Sequence, residues 1–121
     1  MNNHDLAVKV HSAMYQQCKQ RGYAAPVDVL IDIGVLTKGQ YEKWCLGRVP
    51  YLEKVCTINL SKLSTILREM RVYALKYNLK ASLYFYKRWA VKGKAIPLRF
   101  SKSRRDVVER QYSTHYYALK T

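Results

Sequence analysis

From Ala81 to Arg105 the chain reads ASLYFYKRWAVKGKAIPLRFSKSRR, with basic and aromatic residues interleaved and no acid among them. Alternation at a period of two is the pattern of a β-strand, whose side chains point to opposite faces in turn. A turn at Lys92-Gly93 sets Val91 opposite Lys94, Trp89 opposite Ile96 and Phe85 opposite Phe100. Leu83, Phe85, Trp89, Ile96, Leu98 and Phe100 then share one face, and Tyr84, Tyr86, Arg88 and Arg99 share the other. One face is built to bury and the other to meet a polyanion. The pattern predicts a basic β-hairpin over residues 82–101.

Charge sharpens that expectation. The 121 residues carry a formal net charge of +14. Residues 1–60 hold seven basic and five acidic residues, whereas residues 61–121 hold fifteen and three. Between Arg71 and Arg105 there are eleven basic residues and no acidic one. One-sided charge costs stability through self-repulsion, and nucleic acid is the common partner that offsets it. An acidic protein surface is the alternative. No apolar run approaches the roughly 18–20 residues of a membrane span. The N-terminus, MNNHDLAVKVHSAM, lacks the basic and apolar regions of a secretion signal, so a cytoplasmic protein is expected. Three cysteines, Cys18, Cys45 and Cys56, form no C-x-x-C pair and read as reduced core residues.

The remaining periodicity is helical and predicts about five helices. Residues 5–21 place Leu6, Val10, Ala13, Met14 and Gln17 on one face, with Asp5 as cap and Gly22 as stop. Pro26 opens a short helix that ends at Gly34. Asp28 and Asp32 share a face of it, read as solvated carboxylates near a helix N-terminus rather than as metal ligands. Thr37 followed by Gln40 is a capping box and opens a helix to Gly47. Asn59 caps the longest helix, residues 60–77, whose stripe is Leu60, Leu63, Leu67, Met70, Ala74 and Tyr77, widened by Ile66 and Tyr73. Its outer face carries Lys62, Arg68 and Lys76, with Arg71 at the margin. A last helix is expected over residues 104–118, capped by Ser103 with Asp106, and presenting Tyr112, His115 and Tyr116. The whole reads as one α+β domain, mostly helical, with one β-hairpin.

The run VDVLIDIGVLTKGQYEKWCLGRVPYLEKV resembles the helix-turn-helix of the lambda-repressor-like DNA-binding family, with Gly34, Trp44, Gly47 and Pro50 in the places of its turn, W-x-x-G and following proline. This resemblance over residues 27–55 implies a helix-turn-helix at 26–47 and major-groove DNA binding, with Lys38, Gln40 and Lys43 on the recognition helix, and a homodimer as the usual accompaniment. The second helix buries Tyr41 and Trp44 if one residue is added after Gly34, and Gln40 and Lys43 if it is not. A purely structural helix pair fits the composition equally.

The expected function is therefore nucleic-acid binding, DNA ahead of RNA, without cofactor, metal or catalysis. Phosphate contacts are assigned to Arg71, Lys76, Lys80, Arg88, Lys92, Lys94, Arg99, Lys102, Arg104 and Arg105, with Lys38 and Lys43 added by the resemblance. Tyr84 and Tyr86 are candidates to stack unpaired bases or to serve as core. A weaker enzymatic alternative is a metal-independent ribonuclease that uses Arg110, Tyr112, His115 and Tyr116.

Overall fold

The computed structural model describes residues 2–119 and begins with helix α1, Asn3–Arg21. The Asn2 side chain, not Asp5, takes the cap by accepting the Asp5 amide at 2.8 Å. Asp5 falls instead in the first turn, where its charge favours the helix dipole. Gly22 ends α1 in the left-handed conformation, as its position suggests. Helices α2, Pro26–Asp32, and α3, Lys38–Cys45, follow, the second capped by Thr37 Oγ1 on the Gln40 amide. A 3-10 turn spans Leu52–Val55, and helix α4, Leu60–Lys76, starts at the Asn59 cap.

The core lies between α1 and α4. Leu6, Val10, Ala13, Met14 and Gln17 are buried from α1, the same five that the periodicity marks. Leu63, Ile66, Leu67, Met70 and Ala74 face them from α4, while Leu60 and Tyr77 at its ends are exposed. A fully buried aliphatic side chain contributes about 1.5–3 kcal/mol, so these two stripes anchor the fold. Helix α3 buries Trp44 and half-buries Tyr41, leaving Lys43 in solvent. Asp28 pairs with Arg21 and Asp32 accepts from Gln17, so both carboxylates have structural partners. The cysteines are free thiols, and burial pushes Cys56 up to about 12.

The chain is α+β and mostly helical, with five α-helices and a three-stranded antiparallel sheet among the described residues. Two further features differ from expectation. The C-terminal helix does not run over 104–118: α5 covers Asp106–Ser113, and Thr114–Tyr117 form a strand, β3. Thr-His-Tyr-Tyr has strand propensity, and β3 gains ladder partners on both sides, Tyr23–Ala24 (β1) and Lys80–Leu83 (β2). Arg105 stands at the α5 cap without a side-chain bond, and Ser103 Oγ accepts the Arg105 amide at 3.3 Å instead.

The second feature is the hairpin. The chain does reverse around Gly93 (φ +87°), but Ser82 and Leu83 pair with β3 rather than with residues near 101. Beyond them one antiparallel bridge joins Lys87 to Pro97, with Arg88 N donating to Ile96 O and Leu98 N to Tyr86 O. This register is one residue off the anticipated one. It places Pro97 at a pair that exchanges no hydrogen bonds, so its missing N–H leaves no gap in the ladder. A slip of one exchanges faces. Phe85 and Trp89 therefore turn outward, exposed by 59% and 46%, while Tyr86 packs on the core; Leu83 is exposed as well, and so is Ile96, although it stays on the face of Leu98 and Phe100. Leu98 and Phe100 remain on the inside. Among the described residues no helix is long and apolar enough to cross a membrane.

Candidate nucleic-acid interface

Residues 84–105 form an arm fastened near both ends and open at its tip. Trp44, fully buried, donates its indole N–H to Arg99 O at 2.8 Å, and the Trp89 amide donates to Cys45 O at 2.8 Å. Leu52 and Glu53 amides bond Arg99 O and Phe100 O. Glu109 accepts from Phe100 N, Ser101 N and Ser101 Oγ at 2.9, 2.8 and 2.5 Å. Glu53 accepts from Lys102 N and the Tyr112 hydroxyl. Two carboxylates thus satisfy backbone donors at the arm's root and leave its cations alone.

Two arginines assigned to phosphate are largely occupied within the fold. Arg88 donates to Gly47 O at 3.0 Å, and a Cβ on Gly47 (φ +76°) would overlap its guanidinium. Arg99 lies over the Tyr51 ring at 4.8 Å and donates to Ser101 O and Lys102 O. Burying either without an acidic partner is tolerable because backbone carbonyls supply the acceptors.

The other assigned cations are exposed. Lys38 and Lys43 lie on α3, Arg71 and Lys76 on α4, Lys80 on β2, Lys92 and Lys94 at the arm's tip, and Lys102, Arg104 and Arg105 beyond it. Lys87 joins them. Among the described residues the ion pairs are His11–Glu69, Arg21–Asp28, Arg68–Glu69 and Arg110–Asp106, so none involves a residue from Arg71 to Arg105.

The two tyrosines part company. Tyr84 is exposed, whereas Tyr86 is mostly buried between Trp44, Phe100 and His115. Burial drives the Tyr86 phenol well above its ordinary range. The residues considered for ribonuclease chemistry are not brought together. Tyr112 is buried on Glu53, Arg110 is paired with Asp106, and Tyr116 and His115 alternate to opposite faces of β3.

What does assemble is an aromatic group that local spacing could not gather: Tyr23, Tyr41, Tyr84, Tyr86, His115 and Tyr117. Eleven tyrosines in the chain were the available signal, but their pairing depends on β1 and β3, far apart in sequence. Compared with protein-family models, curated proteins and solved structures, the chain matches none.

Proposed function

We propose that this protein binds nucleic acid, contacting phosphates with the exposed cations of its second half. The observation that carries this is the unbalanced charge: eleven basic residues from Arg71 to Arg105 with no ion pair among the described residues. Nine of them are exposed, all but Arg88 and Arg99. A nearby acid would have neutralised such a surface, yet Glu53 and Glu109 bond the arm's backbone instead. Helices α2 and α3 make DNA the first ligand to test, since Lys38 and Lys43 are open to solvent on α3.

Labelled duplex DNA, single-stranded DNA and RNA titrated over a salt series test the proposal. Six or more phosphate contacts predict an affinity loss of about a thousandfold or more between roughly 50 and 200 mM salt. Lys92→Ala with Lys94→Ala should lower the salt slope by about one per contact removed. Weak, salt-insensitive binding to all three ligands would sink it.

A second reading, docking on an acidic protein, is favoured by the exposed Leu83, Phe85, Trp89 and Ile96 beside the lysines of the arm. Capture of a protein partner that survives nuclease treatment separates the two.

A further inference from the structure

The sheet has two unlike faces. Ala24 and Tyr116 point into the core. On the opposite face Tyr23 stands across from Tyr117, Tyr117 from Lys80, and His115 from Ser82. Tyr84 continues that face, because its amide donates to Ser113 O at 2.9 Å and extends the ladder by one pair. The result is a cleft of about 220 Å³ lined by these aromatics with Tyr41, Tyr86 and Asp28.

The rings are ordered by one another. His115 lies parallel to Tyr84 at 4.7 Å and 7°, and to Tyr23 at 5.4 Å and 11°. Tyr23 stacks on Tyr117 at 5.1 Å. His115 is only 5% exposed, with Nε2 placed 2.8 Å from the Tyr86 hydroxyl and Nδ1 unpartnered among the described residues. The doubly protonated ring has no acceptor at Nδ1, and desolvation lowers its pKa, which favours the neutral form. Tyr84 and Tyr117 keep substantial ring area in solvent.

The chemistry of the cleft narrows what fits it. A phosphate would meet aromatic rings and the Asp28 carboxylate, and the Arg21 guanidinium beside them is already paired with Asp28. An organic cation would compete with Arg21, which already covers Tyr23 at 4.1 Å and pairs with Asp28 at 2.6 Å. A flat, uncharged ring has no charge conflict with the lining, and Tyr84 and Tyr117, which Arg21 does not cover, are the rings open to it. The volume is below the roughly 300–1,000 Å³ of drug-sized sites and suits one ring system.

We infer that this aromatic sheet face stacks unpaired nucleobases of a single strand, while Lys80 and the exposed cations of the arm hold the backbone phosphates. The inference rests on the nucleic-acid reading and deepens it. Every base has a π-face, so stacking tolerates sequence, and paired bases in a duplex have no free face to offer.

Single-stranded and duplex oligonucleotides of equal length, titrated at one salt concentration against Tyr84→Ala with Tyr117→Ala, test it. Single-strand affinity should fall by about tenfold or more and duplex affinity by less than about twofold, given the usual worth of base–aromatic stacking. Tyr84→Trp with Tyr117→Trp should restore binding. Independently of variant folding, a single strand carrying 5-iodouracil should photocross-link the wild-type protein at Tyr23, Tyr84 or Tyr117. Cross-links confined to Phe85 or Trp89 would overturn the inference. So would an unchanged or equal loss on both ligands, which leaves phosphate binding standing. Failure of the wild type to bind any nucleic acid overturns both.

Discussion

The two tryptophans show how differently the chain uses the same residue type. Trp44, in the weakly charged N-terminal half, is fully buried and hydrogen-bonded to Arg99 O. Trp89, in the basic arm, is nearly half exposed, edge-on to Tyr41. In the helical half, apolar residues at helical spacing find a partner helix. In the arm, alternating apolar residues find only a two-bond ladder, and the attachments to α3 and α5 decide which side faces inward. A hydrophobic pattern marks which residues share a face. Its burial depends on a second element arriving to cover it.

The largest test of that contrast is truncation of each tryptophan. Trp44→Ala should cost about 3–5 kcal/mol through the cavity it leaves, whereas Trp89→Ala should cost less than about 1 kcal/mol. Equal losses in chemical denaturation would mean the arm packs as tightly as the core.

A smaller effect is expected at the arm's root. Glu109→Gln weakens a carboxylate that accepts from Phe100 N, Ser101 N and Ser101 Oγ. About 1.5–3 kcal/mol of stability should be lost, given that hydrogen bonds to a charged acceptor are the stronger kind. Amide exchange should quicken at Phe100 and Ser101 before it does in α1. Uniform exchange across both regions would show that arm and helices open as one unit.

The smallest effect is a pH dependence at the sheet, where the two regions meet. Burial lowers the pKa of His115 below its ordinary 6.5. The unfolded chain therefore takes up this proton at a higher pH than the folded one does. Its contribution is complete above about pH 6.5 and is lost as pH falls toward the folded pKa. His115→Phe should flatten the stability slope between about pH 7 and 5.5 relative to wild type. An unchanged slope would remove His115 as its source.

Some of this architecture was legible in advance for local reasons. The caps at Thr37 and Asn59, the stop at Gly22 and the five buried residues of α1 all follow from contacts within a few turns of helix. Strand β3 was not, because Tyr112 and Tyr116 sit four apart and fit a helix as well as a strand. Only Tyr23 and Lys80–Leu83, brought alongside, favour the strand. The arm's inside and outside were hidden for a related cause. Its alternation is real, but Pro97 and the Trp44 anchor select a register one residue away. Among the cations, sequence marked the excess but not its division: Arg88 and Arg99 hold carbonyls, and Lys92 and Lys94 stay open.

By itself, then, the amino-acid sequence determined the first four α-helices, most of their apolar faces and the concentration of positive charge after residue 60, because propensity, capping and charge count are local properties. Tertiary structure alone decided which face of the arm is covered, which arginines remain available and that six aromatic rings from four separate segments share one cleft. Those outcomes depend on strand register and on elements that meet only once the chain has folded.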